Sequence, residues 1–345
     1  MLSQNITAMK KLLFLFVIIP FLLFQGCKEE NPFTKVDISN IKITQKLYRF
    51  DKDLYNIPED SLTKEVPRLI KQYDGFLELY SNQIIRIGSP YSKDFPERLK
   101  VFKSDYVVSE TYKYAEKKYK DFSPYFSEIN KAFKYYHYYF PDKAIPNVYT
   151  YVSGFNVAIA TDSAILGIGL DFYLGKDFEF YPNLALPYYI VKKMEPYMIL
   201  PDAIRGWLAM EFAPTDSMNT LLDNMIYGGK ILYVMNAIMP NVPDTIKFGY
   251  SQQQIEWCKE NEEEMWSYFV EKKILFSTER ILIKKFVDEA PFTIPFGRKS
   301  PPKTGIWIGY RIVSKYMKKH SEISLRQLME EKNSQKILTY SGYNP

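Results

Sequence analysis

The most specifically placed reactive atom in this sequence is the thiol of Cys27. It follows Gly26 directly, after an apolar run over residues 12–24 interrupted only by Pro20, and Met9-Lys10-Lys11 put positive charge ahead of that run. A basic n-region, an apolar h-region of this length and a small residue before cysteine form the pattern of a secretory signal ending in a bacterial lipobox, where the thiol is diacylated and becomes the new N-terminus. The run is too short for a comfortable membrane span. Two or three acyl chains on Cys27 would anchor the chain stably where one would not. Phe24 and Gln25 stand where the usual lipobox has Leu and Ser or Ala. An ordinary secretory signal with an incidental cysteine, or an N-terminal anchor, therefore stays open beside lipidation. Residues 1–8 read as an upstream extension, with Met9 as a second possible start.

The remaining chemically capable side chains are scattered. The two histidines, His137 and His320, are too few and too far apart for a His-rich metal cluster. His137 lies in Tyr135-Tyr136-His137-Tyr138-Tyr139-Phe140, where it could serve as a general base and the rings could stack on a sugar or a partner. A helix end packed by aromatic side chains accounts for the same residues more simply. Glu260, Glu262, Glu263 and Glu264 could gather a cation, but such a run reads first as solvated charge on a helix. Cys258 has no sequence-near partner that would make it a nucleophile, and its apolar setting suits a buried thiol. With Cys27 the only other cysteine, a disulfide framework is excluded unless these two pair. Ser61-Leu62-Thr63-Lys64 and Lys303-Thr304-Gly305 imitate two of the three motifs of penicillin-recognising serine enzymes. Ser39–Lys42 and Ser300–Lys303 repeat the first spacing, and Ser104-Asp105-Tyr106 lacks the amide of the middle motif. Walker A, dinucleotide and Gly-x-Ser-x-Gly patterns are absent. The residues thus nominate no catalytic group, metal ligand or cofactor site.

The elements that position these groups centre on residues 145–240. Tyr151 to Asp162 and Ile165 to Gly175 read as short strands broken by turn residues. From Leu200 to Phe212, Ile204, Trp207 and Leu208 fall at helical spacing, with Pro201 and Asp202 as a start. Asp223 to Tyr233 is helical in pattern despite Gly228-Gly229, and glycines so placed mark a bend or a close backbone approach. Upstream, Ile41-Lys42-Ile43-Thr44 and Leu47-Tyr48-Arg49-Phe50 alternate as a half-buried strand. Asp60-Ser61 can cap a helix running through Ile70, Phe76 and Tyr80 that Pro67 and Gly75 bend or divide. Residues 97–120 and 123–140 are helical in character, as are Ser251 to Lys273 and the stretch after Gly305, whose basic end His320 would cap. Ser324 caps a final helix. Hydrophobic residues at 46% and charged ones at 25% are globular proportions, and 45 basic against 40 acidic residues leave no nucleic-acid footprint. The expected fold class is α+β, mainly helical with a small mixed sheet from residues near 41–50 and 147–168 and helices from about 184 onward. The expected organisation is a signal peptide over 1–27, a polar tether over 28–37 and a single globular domain over 38–345.

Several of these stretches, taken in order, resemble the GldB family of gliding-motility lipoproteins. They are Ile145-Pro146-Asn147, Val152-Ser153-Gly154, the run from Ile168 to Gly175, Tyr227-Gly228-Gly229-Lys230, Trp257-Cys258-x-x-Asn261-Glu262, Gly305-x-Trp307-x-Gly309-Tyr310-Arg311 and the closing Ser341-Gly342-Tyr343-Asn344-Pro345. The resemblance implies a non-catalytic lipoprotein of gliding Bacteroidetes, needed for surface motility and linked to type IX secretion. It implies protein partners in the gliding and secretion machinery, an outer-membrane lipid anchor facing the periplasm or the surface, and no transferable active-site residues. Lys28-Glu29-Glu30 is similar to the tag that directs some lipoproteins of that phylum to the surface, and a solvated tether explains it equally well. A more distant likeness is to a zinc-peptidase scaffold of the gluzincin kind. There Arg205-Gly206-Trp207-Leu208-Ala209 would stand in place of the His-Glu-x-x-His helix, and Gly228-Gly229 in place of the later glutamate. With those ligands replaced, the likeness implies a pseudoenzyme whose scaffold is reused for binding. The competing class is a membrane-anchored hydrolase of peptide or cell-wall substrate with an unrecognised site.

Overall fold

The helix Leu221–Ile238 is apolar on nearly every side, and such a helix is stable only when other elements enclose it. In the computed structural model, which describes residues 31–215 and 219–345, the C-terminal half is built to do so. The chain divides after Val36. Ahead of that point Asn31 caps a single turn, Pro32–Lys35, by accepting the Phe33 N–H at 3.1 Å. Cys27 lies outside the described residues.

The larger unit begins with β1 (Leu47–Tyr48), α1 (Phe50–Tyr55), α2 (Leu62–Leu79), α3 (Phe95–Ser104), α4 (Tyr106–Lys118) and α5 (Ser123–Tyr139). The strands β2 (Asn147–Tyr151), β3 (Ile159–Asp162) and β4 (Ile165–Gly169) follow. They form one mixed sheet ordered β1-β2-β4-β3, with β1 and β4 parallel to β2 and β3 antiparallel to β4. The chain is therefore mainly helical α+β, as expected. The alternation at Ile41 to Thr44 does not form a strand. The ladder to β2 stops short because the Asn147 side chain, not a backbone carbonyl, accepts the Lys46 N–H at 2.9 Å. Aromatic rings tie these elements together: Phe76 of α2 stacks on Tyr149 of the sheet at 4.4 Å, Tyr48 of β1 stacks on the same ring at 4.8 Å, and Tyr80, just past α2, meets Phe50 of α1 edge-on at 4.8 Å. Such pairs add about 0.5–1.5 kcal/mol each beyond the area they bury. The division expected in α2 falls at Asp74, just before Gly75, where φ is 28°.

The second half comprises α6 (Tyr188–Val191), α7 (Ile199–Glu211), α8 (Leu221–Ile238), α9 (Asp244–Phe248), α10 (Gln252–Glu260), α11 (Glu262–Glu271), α12 (Arg280–Val287), α13 (Thr304–Lys319), α14 (Leu325–Glu330) and α15 (Ser334–Ser341). Around α8 pack α5, α7, α12, α13 and α15. The close approach signalled by Gly228-Gly229 is made with α13, where a Cβ on Gly229 would lie 2.5 Å from Gly309 O and Tyr310 N. Lys230, buried on the same helix, donates to the Glu331 carbonyl just past α14, so its charge meets a helix C-terminus.

Three helix expectations need correction. Residues 97–120 divide at Asp105, which accepts the Val108 N–H at 3.0 Å and starts α4 as a new helix. The helix expected from Ser251 to Lys273 breaks at Asn261. Ser324 does cap α14, in a capping box with Gln327, but α15 follows it, started by Asn333.

Glu262 is not solvated. It is buried and accepts from Arg311 Nε at 2.9 Å and from the Tyr343 hydroxyl at 2.7 Å, so the break at Asn261 coincides with a tie between α11, α13 and the C-terminal tail. Glu262→Ala should lower stability by about 1–3 kcal/mol, chiefly because it leaves the buried Tyr343 hydroxyl unpaired, whereas the exposed Arg311 can turn to water. Tyr343→Phe should cost about 1 kcal/mol. Urea unfolding of both variants and of the double mutant checks this, with strict additivity counting against a shared network.

Candidate functional site

A cavity of about 290 Å³ opens between α7, α8 and the turn leading into α13. Its floor is apolar and buried, from Ile231, Phe248 and Tyr250; Arg205, Tyr227 and Lys303 are half-buried nearer the mouth, beside the exposed Ala209. Each wall is fixed locally. Thr220 and Asp223 form a capping box that sets the start of α8. Pro301-Pro302 end the preceding loop, where the Thr293 hydroxyl donates to Pro301 O at 2.8 Å and the Tyr250 hydroxyl donates to Pro302 O. Lys303 then takes a left-handed backbone, φ 55° and ψ 34°, before α13 begins. A residue with a β-carbon held in that conformation signals that the surrounding structure imposes it.

The electrostatics are one-sided. Glu289 bridges two ammonium groups, Lys193 at 2.7 Å and Lys303. Arg205 pairs with Asp202 at 3.4 Å and donates to the Lys247 carbonyl. Three cations thus face two carboxylates. Burial pulls the Lys303 ammonium down to about 8, with Arg205 and Lys193 adding to the pull against the Glu289 carboxylate. Burial alone would raise the Glu289 carboxyl, but the Lys303 and Lys193 charges hold it at about 2. Burial also raises the Asp202 carboxyl against the opposing pull of Arg205. Burial raises both cavity tyrosines, Tyr227 and Tyr250, so neither hydroxyl supplies a base near neutrality. The arrangement is suited to holding an anion with an apolar body.

A second polar centre lies on the sheet side. Asp171, fully buried, accepts on one carboxylate oxygen from the Ser153 N–H at 3.1 Å, the Ser153 hydroxyl at 2.8 Å and the Phe155 N–H at 2.6 Å. Its other oxygen has no hydrogen-bond partner. This fastens Val152-Ser153-Gly154 to the run from Ile168 to Gly175, two stretches that carry the sequence resemblance.

The residues singled out from sequence are not brought together. His137 sits at the aromatic end of α5, and its buried Nδ1 lacks a partner among the described residues. His320 is the C-cap of α13 and its ring lies 3.3 Å from Glu322. Cys258 is fully buried, and burial pushes its thiol well up. Among the described residues no group of three or more His, Cys, Asp or Glu is placed to hold a metal ion, and no helix is long and apolar enough to cross a membrane. The structure does unite Arg205 and Ala209 with Gly228, from the two stretches likened to peptidase ligand positions, on one cavity. Lys193, Glu289 and the role of Lys303 were not visible in the sequence. The usable signal for Lys303 was a charged residue after Pro301-Pro302 at a helix start.

Comparison with known proteins gives one match: the family model described as gliding motility protein GldB covers residues 31–345. No curated protein matches the chain, and no solved structure does.

Proposed function

The chain belongs to the GldB family of gliding-motility lipoproteins, and from that premise we propose that it is a lipid-anchored, non-catalytic component of the gliding and type IX secretion machinery, held at the outer membrane through Cys27 and acting by contact with other envelope proteins. The family match over almost all of the sequence after Cys27 carries this reading. The cavity supports it. Where a zinc peptidase would present imidazoles and a carboxylate, this site presents Arg205, Ala209 and Gly228 between apolar walls, which favours binding over water activation.

The anchor is tested on one atom. Cys27→Ala should abolish fatty-acid labelling and leave a protein that is unprocessed or released, because each acyl chain contributes about 0.8 kcal/mol per buried methylene. Labelling that persists in the variant would sink the assignment. Crosslinking from cells then identifies the contacted protein, while stoichiometric zinc in the purified chain would favour a hydrolase instead.

A further inference from the structure

We propose that the cavity between α7 and α8 is a binding site for the C-terminal residue of a peptide, taking a free carboxylate at Arg205 and Lys303 and a large apolar side chain against Phe248, Tyr250 and Ile231. The inference goes beyond the envelope role above and depends neither on Cys27 nor on motility. Three observations carry it. The first is unspent donor capacity. A guanidinium has five N–H donors and an ammonium three, whereas Arg205 is engaged by Asp202 and the Lys247 carbonyl, and Lys303 by Glu289. The second is charge. Arg205, Lys193 and Lys303 outnumber Asp202 and Glu289, and the depressed Lys303 ammonium is a group that a bound anion would relieve. The third is shape. At about 290 Å³ the cavity is near the lower end of ligand sites, room for one large side chain and its carboxylate.

A peptide is favoured over an acyl chain by the lining. The site is short and walled by the rings of Tyr227, Phe248 and Tyr250, surfaces suited to an aromatic or branched side chain. Asn224, also on the lining, gives its amide nitrogen to Thr220 O at 2.8 Å, which leaves its side-chain oxygen to accept a peptide N–H.

The test is calorimetric titration of the purified full chain with acetyl-Gly-Phe as the free acid, the same compound as its C-terminal amide, and octanoate. The acid should bind about tenfold or more tightly than the amide, the preference expected of a charge-assisted pair. Lys303→Met should remove most of that preference, read as a fall of the acid-to-amide affinity ratio toward one. Ala209→Phe, at an exposed position at the mouth one helical turn from Arg205, should block binding of both compounds, with an unchanged thermal midpoint showing that the fold is kept. Absence of binding by the acid, equal binding of acid and amide, or undiminished binding in Ala209→Phe would each overturn the proposal. Octanoate binding as tightly as the acid would overturn it too, showing the occupant to be an acyl chain.

Discussion

Gly309→Ala should leave little folded protein. At this position α8 and α13 touch backbone to backbone: a Cβ on Gly309 would overlap the carbonyl carbon and oxygen of Met225. Those atoms belong to the helical ladder of α8 and cannot swing aside as the end of a long side chain would. The crossing would have to widen, and the fully buried Met225, Ile226, Ile308 and Ile312 would lose packing. Overpacking costs about 1–3 kcal/mol where side chains can yield. Here the helices themselves must separate, so a loss of about 4 kcal/mol or more is expected, a large part of the roughly 5–15 kcal/mol that holds a domain together. Gly75→Ala is the control. Its Cβ would meet only Ile165 Cδ1 at 3.9 Å, an ordinary contact, so the substitution should be close to neutral. Thermal unfolding of the three proteins checks the contrast, and a wild-type midpoint for Gly309→Ala would show that the helices part freely.

This crossing also marks how far the sequence could be read. Gly228-Gly229 and Gly305-x-x-x-Gly309 announced close approach, because a glycine inside an apolar helix pattern needs a packing reason, but neither stretch says that the other is its partner. Pairing of α8 with α13 is set by tertiary packing across some eighty residues of chain. The same distinction explains Glu262. Its neighbours Glu263 and Glu264 are exposed, as four carboxylates within five residues suggest, and only the fold brings Arg311 and Tyr343 to the one that points inward. Strand positions at 147–169 were legible from β-branched runs and turn residues, whereas Ile41 to Thr44 had the right period and no ladder to join. The cavity was the least legible feature. Its lining cations come from α7 and from the turn before α13, Lys193 reaches Glu289 from beyond α6, and no local pattern joins Lys193, Arg205 and Lys303.

Asp171→Ala should be destabilising by about 3–5 kcal/mol, through loss of an acceptor rather than loss of packing volume. The carboxylate is fully buried and takes two backbone N–H groups and a hydroxyl from Ser153 and Phe155, so truncation leaves the two buried Ser153 donors and the part-buried Phe155 N–H without their acceptor. Phe155 and Gly154 both have positive φ, 62° and 66°, and the carboxylate is what holds that turn against the sheet. Asp171→Asn keeps the accepting oxygen and should cost less. It also isolates a pH effect. Burial raises the Asp171 carboxyl from 3.8 to about 6, although the Phe155 N–H and Ser153 pull it back down. The folded protein therefore holds this proton more tightly than the unfolded chain. Stability from this group is fully present below pH 3.8, declines as pH rises toward about 6 and is level above it. At about 1.4 kcal/mol per unit, the decline amounts to about 3 kcal/mol. Urea midpoints measured from pH 4 to 7 should show wild type losing ground across that window relative to Asp171→Asn, in which the titrating group is gone. Parallel pH profiles for the two proteins would mean that Asp171 is charged in the fold throughout and that its three donors outweigh its burial.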